Sequence, residues 1–378
     1  MKKVSKKQRM RDVQRELMRR RGVTRDLFCG NKATSSNVSQ YIDKSWLDEN
    51  LGSVDVRVKK KNQITLSLPE VMNFSNEYEA TVSNISAIRK LGGKSSNATH
   101  YKLVTVDFDK LRKISTSAAL VLTAELSKWD DEIRQRLRPE VGNWDKAILR
   151  NFRELGFFGL FKNCNTIEFN DELGDSSNLK VVQYIKGRIG DSDKARLLKE
   201  NITGIVGEEI NKWMFLHGGL TEAVTNVGHH AYPDGFGFSE REKNWYLTGA
   251  FNDVSKELKI VFYDQGIGIP KSLPASEIWE RILKVFSKIP LADRKKDEVL
   301  LKAAVELDRT STYDSDRGKG LQDLLEFIKQ RENGYLSIIS SKGLYKYELV
   351  DGEEKIKAER FHTALRGTLI IWNAQLTN

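Results

Sequence analysis

Glu222 and Asn226 stand four residues apart in Glu222-Ala-Val-Thr-Asn226-Val-Gly-His-His230. On a helix that spacing sets a carboxylate and an amide on one face, about a turn apart. Magnesium takes a few oxygen ligands and keeps waters and substrate phosphates. The Asn226 amide oxygen suits such an ion. Glu222 can then orient or deprotonate a water or hydroxyl beside it. A solvated glutamate and a helix-terminal asparagine would explain the same two residues. The surrounding stretch from Lys194 to Tyr232 has helical periodicity and no proline before Pro233, so one helical run is expected there.

Three further pieces follow in order. Leu258, Ile260 and Phe262 alternate with Lys259, Val261 and Tyr263, a strand that ends at Asp264. A carboxylate at a strand's end can accept from an exocyclic amine. Gly266 and Gly268 let the backbone turn there and approach a flat base or a phosphate. An ordinary Asp-Gly turn fits this motif equally. Next, Gly318, Lys319 and Gly320 precede an apolar stripe of Leu321, Leu324, Leu325 and Ile328. That pattern places free N–H groups and the positive end of a helix where phosphate can sit. It is not a P-loop; Gly93-Lys94-Ser95 has Ile88 where the first P-loop glycine would stand. Last, Thr368, Ile370 and Trp372 alternate with Leu369 and Ile371 after Gly367. The Thr368 hydroxyl can complete the polar end of a base site.

In this order the four motifs resemble those of the GHKL ATPases, whose nucleotide-binding unit is called the Bergerat fold. The likeness covers roughly 180–378. It implies ATP and Mg²⁺ as ligands: Asp264 on the adenine amine, Thr368 near it, Asn226 on the metal and Glu222 as the catalytic base. Gly266 and Gly268 form a first glycine box. Gly318, Lys319, Gly320 and Leu321 line the phosphates. His230 matches a histidine found there in many kinase-like members; a structural helix-end role fits it too. The segment 271–316, with a helical stretch around Glu298–Leu307 and then Thr310-Ser311-Thr312, becomes the ATP lid, and ordering of a lid is a recognised switch. The chain stops soon after Thr368, so no second domain is expected to supply a phosphate-contacting lysine, and slow hydrolysis is expected. A histidine kinase is rejected, because His100 is the one histidine upstream of the Glu222 helix apart from His217 within it, and it does not read as part of a long helix.

The remaining elements must carry this pocket. The 378 residues suffice for two or three domains with proper cores. With 39% hydrophobic residues there is no apolar run of membrane-spanning length, and the basic N-terminus lacks the apolar core of a signal peptide. Two cysteines, Cys29 and Cys164, make neither a disulfide framework nor a metal site, so a cytoplasmic location is expected. Residues 1–30 hold eleven Lys/Arg against three Asp/Glu, which is +8 of the chain's +10. Met10, Val13 and Leu17 give residues 1–22 a narrow apolar stripe on a basic helix. That helix suits nucleic-acid phosphate, an acidic protein, anionic lipid, or its own chain.

The expected organisation is α/β throughout: a basic helix and linker over 1–53, an α/β domain over 54–167, a connector over 168–192, and the ATP-binding domain of mixed sheet and helices over 193–378. In 54–167, Val56 to Leu68 suggest strands, Leu103–Phe108 a buried strand, Ser117–Trp129 a helix and Ile148–Phe161 another. The run from Val104 to Leu120 is similar to the STAS domain of sulfate transporters and anti-sigma-factor antagonists. Ser117 stands where regulatory members carry a phosphorylated serine, but Asp and Gly of their Asp-Ser-Ser-Gly turn are missing. An unrelated α/β packing domain also fits. The reading is a slow, Mg-dependent ATPase whose lid switches a protein partner, with a homo-oligomer allowed. A serine/threonine kinase of the anti-sigma type and a nonhydrolysing ATP sensor share the same pocket.

Overall fold

The computed structural model describes residues 51–92 (without 53, 60 and 61), 101–161 (without 138), 178–276 (without 192, 208 and 209), 279–280, 282, 290, 293–309 and 320–376. The basic helix expected at 1–22, both cysteines, His100, Gly93-Lys94-Ser95 and Thr310-Ser311-Thr312 lie outside them. Among the described residues no helix is long and apolar enough to cross a membrane.

The fold is mixed α/β. Its first part holds β1 (Asp55–Lys59), β2 (Gln63–Ser67), β3 (Val71–Met72), α1 (Tyr78–Gly92), β4 (Lys102–Asp107), β5 (Lys113–Ile114), α2 (Thr116–Ser127) and α3 (Lys146–Leu155). β1 pairs antiparallel with β2, and β2 parallel with β4. A parallel pair needs a crossover, and α1 lies in it. The second part is an antiparallel sheet of β6 (Leu179–Val181), β7 (Ile185–Arg188), β8 (Asn244–Asn252), β9 (Glu257–Asp264), β10 (Gly334–Val350) and β11 (Glu353–Gln375). Its order is β10-β11-β9-β8-β6, with β7 also on β8. Residues 179–188, read from composition as connector, therefore supply two strands of this sheet.

Both faces of the sheet are covered, and strand alternation divides its side chains between two cores. Trp245, Leu247, Ile260, Phe262, Ile370 and Trp372 face α4 (Lys194–Val206), α5 (Trp213–Asn226), α6 (Asp297–Arg309) and α7 (Gly320–Lys329). Tyr246, Val261, Tyr263, Leu369 and Ile371 belong instead to the core of the first part. Helix α2 lies at this seam. Every residue from Ser117 to Ser127 is buried, as expected of a helix apolar all round with layers on more than one side. Ser115 caps its start by accepting from Ala118 N at 3.2 Å.

The single helical run expected from Lys194 to Tyr232 is two helices. The first ends at Val206 with Gly207 in the left-handed conformation. The second passes at Asn226 into a π-helical turn, Val227–Ala231. The helix expected inside the lid is present as α6 and packs against the sheet. Leu301, Ala304 and Val305 are fully buried, and Asp297 Oδ2 accepts from Lys342 N at 3.0 Å.

Candidate functional site

The site is built at the C-terminal end of β9. Asp264 closes that strand and sits directly opposite Thr368 of β11, so residues about a hundred positions apart become cross-strand neighbours. Both are 5% exposed. Asp264 Oδ1 accepts from Gly266 N at 2.8 Å. Burial pushes the carboxyl up to about 7, against hydrogen bonds from the Gly266 N–H and from the hydroxyl and N–H of Thr368. A carboxyl so poised is an acceptor when ionised and is easily neutralised.

The turn after Asp264 joins the other elements to this point. Ile267 N donates to Ala231 O at 2.9 Å, so the π-helical end of the Glu222 helix lies against the glycine turn. A Cβ at Gly266 would run into the Ala231 carbonyl and side chain. Gly268 has φ +84°, and a Cβ there would sit 2.8 Å from Ser340 Oγ, so close approach and a left-handed backbone both require glycine. Tyr232 donates to Asn244 O at 2.6 Å and accepts from Gln265 N at 3.0 Å, which ties the helix end to β8 and β9.

Ser340 on β10 is fully buried. Its Oγ accepts from Ile269 N at 2.8 Å and lies 3.1 Å from both Gly367 O and Thr368 Oγ1. It holds the glycine turn and the Thr368 strand together. Sequence reading missed Ser340 and Tyr232. Neither had a distinctive signal: Ser340 sits in Ser337-Ile338-Ile339-Ser340-Ser341-Lys342, where polar residues are common, and Tyr232 is marked only by its place at a helix end. Arg366, in the fourth motif, donates to Gln265 O at 3.1 Å and pairs with Glu242 at 2.9 Å. Its role is to brace the strand ends.

Glu222 and Asn226 share a face of α5, as their spacing predicts. Asn226 Nδ2 donates to Glu222 Oε1 at 2.6 Å, which leaves the amide oxygen as the acceptor of Asn226. That donor set, one amide oxygen beside one carboxylate, fits a magnesium ion that keeps its waters and phosphates. His230 lies on the π turn, its ring edge-on to His229 at 5.8 Å, one residue before the Ala231 contact. π turns inside α-helices occur often at functional sites. Gly318 and Lys319 lie outside the described residues. Gly320 and Leu321 open α7, which packs along α5. Ser117 is 4% exposed, with its Oγ 3.0 Å from Ser115 Oγ, so no phosphoryl group reaches it without local opening.

Three of the four motifs, the first, second and fourth, thus meet at one strand end, and the helix that opens at the third packs on the helix of the first. No protein-family model matches the chain, and neither does any curated protein or solved structure.

Proposed function

We propose that this chain binds ATP with Mg²⁺ in a Bergerat-type pocket and hydrolyses it slowly, lid closure over the phosphates switching how a protein partner is engaged. One observation carries the reading. The buried Asp264 carboxylate and the Thr368 hydroxyl form a cross-strand pair, locked by Ser340 to a glycine turn that abuts the Glu222–Asn226 helix. A buried acceptor beside a hydroxyl suits the amine edge of adenine and disfavours a base that presents a carbonyl there.

The chain's own groups divide the work. Asp264 and Thr368 select the base. Asn226, its amide turned by Glu222, offers its oxygen to the metal. Bound Mg²⁺ neutralises charge on the phosphates. Glu222 takes a proton from water as the water oxygen bonds to the terminal phosphorus and the bond to the ADP oxygen breaks. The α7 N-terminus, which carries the partial positive charge of a helix start, supplies the phosphate contact in this reading.

Calorimetry with a nonhydrolysable ATP analogue and Mg²⁺ tests the base site. Asp264→Asn should cost about 1–3 kcal/mol of affinity, because an amide donor then faces the adenine amine. Unchanged affinity would remove the assignment. Glu222→Ala should keep binding and lower turnover by about 10²–10⁴-fold. Asn226→Ala should weaken binding only when Mg²⁺ is present. Free phosphate as the product supports the ATPase, and labelled phosphate on a protein supports the kinase. Tight binding with neither product supports the sensor and rejects the ATPase.

A further inference from the structure

Past Ser341, which has φ +55°, the last two strands continue as an arm: Gly343–Val350 of β10 against Glu353–Arg360 of β11, closed by Asp351-Gly352. The inner strand is anchored. Tyr345 and Tyr347 are fully buried and share the second core with α6. The outer strand is open. Residues 353–358 are all exposed, and so is 360. Neighbouring side chains point to opposite faces of a strand, so both faces meet solvent here. Among the described residues no strand pairs with its free edge. Such an edge presents unpaired N–H and C=O groups, a template for one more strand.

The charges along the edge select the strand that fits. Glu353-Glu354-Lys355-Ile356-Lys357-Ala358-Glu359-Arg360 carries three acids and three bases. Turn a second copy antiparallel about Lys357. Glu354 then faces Arg360, Lys355 faces Glu359 and Ile356 faces Ala358, each twice by two-fold symmetry. Glu354 also accepts from Tyr347 at 2.8 Å and Arg360 pairs with Glu298 at 3.5 Å in its own chain, so Lys355 with Glu359 is the selecting pair. Opposite charges set across a strand pair attract, and like charges repel. The one like-charge meeting is Lys357 with its own copy, and Glu359 already neighbours Lys357 at 2.5 Å. Moving the axis to Ile356 would set Glu353 against Glu359 and Lys355 against Lys357. The pairing about Lys357 also covers Ile356, a large apolar side chain left 39% exposed. It leaves room for α6 of each copy, since three inter-strand steps of about 4.8 Å separate the two β10 strands, more than the width of a helix, about 10–12 Å. The paired segment 354–360 stops short of 361–363, where Tyr78 and Glu79 of α1 sit.

We propose that the chain forms a two-fold dimer by antiparallel pairing of its 353–360 edge with the same edge of a second copy. The pairing does not involve the nucleotide pocket and stands or falls apart from it. Analytical ultracentrifugation of the full chain over a concentration series tests it. A reversible monomer–dimer equilibrium is expected. Lys355→Glu or Glu359→Lys alone should each weaken the dimer by about tenfold or more, because each turns two attractive pairs repulsive. Combined in one chain they should restore it. Lys357→Cys, with Cys29 and Cys164 replaced by serine, should give a disulfide-linked dimer under mild oxidation, since facing residues across strands lie about 4.5–5.5 Å apart at Cα. Lys355 and Lys357 are exposed and Glu359 partly so, and circular dichroism checks that the fold is kept. A chain monomeric at every concentration overturns the proposal. So does a dimer that neither reversal weakens, or one in which position 357 does not cross-link.

Discussion

A carboxyl with almost no solvent contact makes Asp264 the residue on which the nucleotide reading turns. Burial raises it to about 7, so below that pH the carboxyl holds a proton that an incoming amine must displace. Binding should therefore release a proton on the acid side of that value and tighten between about pH 6 and about pH 8. Calorimetry in buffers of different ionisation enthalpy reads the proton directly. Stability moves the other way. A carboxyl raised on folding contributes stability at low pH, and that contribution is lost as pH rises from the usual carboxylate value, about 4, through about 7. Asp264→Asn, neutral throughout, should thus be more stable relative to wild type at about pH 8 than at about pH 5. It should also bind the analogue without a pH dependence. A thermal melt series showing a constant difference between the two proteins would detach the raised carboxyl from both effects.

At the scale of elements, the contact between the helix end and the glycine turn is the joint that makes one site of separate motifs. Gly266→Ala sets a Cβ against the Ala231 backbone, which cannot move aside as a flexible side chain can. Overpacking of this kind costs about 1–3 kcal/mol. The melt should fall accordingly, and analogue affinity should fall with it, because the turn carries Asp264's hydrogen-bond donor. A melt unchanged from wild type would mean the joint yields freely. Much of this region was legible in the sequence. The β9 alternation and its end at Asp264, the Glu222–Asn226 face and the glycine pair all rest on periods of two or near four that local sequence displays. The division at Gly207 was not, because apolar spacing carries on across the break while a left-handed glycine ends the helix. The strands at 179–188 were missed for a related reason. They are short edge pieces, Leu179–Val181 and Ile185–Arg188, and what makes them strands is their pairing to β8. Ser340, one of three serines in 337–341, has nothing local to mark it; its three partners come from the turn and the neighbouring strand.

For the molecule as a whole, the consequential feature is the seam between the first part and the back of the antiparallel sheet, which no local pattern announces. Glu125, in the middle of α2, is wholly buried and meets Arg89 at 2.7 Å and Lys128 at 2.6 Å. Arg89 also bonds to Tyr263, whose hydroxyl donates to Arg366 O at 2.9 Å; Ser127 and Tyr246 hydroxyls meet at 2.7 Å beside them. Burial would raise the Glu125 carboxyl, but Arg89 and Lys128 outweigh it and hold it low. Lys128 is the less compensated cation, drawn down by burial to about 8. Tyr263 and Arg366 immediately precede Asp264 and Gly367-Thr368, so this buried network grips the strand ends that carry the proposed base site. The core of the first part and one sheet face are a single cluster, and one cooperative unfolding transition is expected. Glu125→Gln leaves two cations buried without their anion and should cost about 3–5 kcal/mol. Replacing Arg89, Glu125 and Lys128 together by leucine or methionine removes the uncompensated charge as well as the pairing, and such swaps are often neutral or stabilising. Denaturant melts of the two variants separate charge from packing. If the seam serves only to join the layers, the triple variant should retain stability and analogue affinity alike. If Arg89 also sets Tyr263 in place, the triple variant should melt like wild type and yet bind the analogue more weakly, while a Tyr263→Phe variant should reproduce that loss. The buried network bears on the pocket only if those two variants agree.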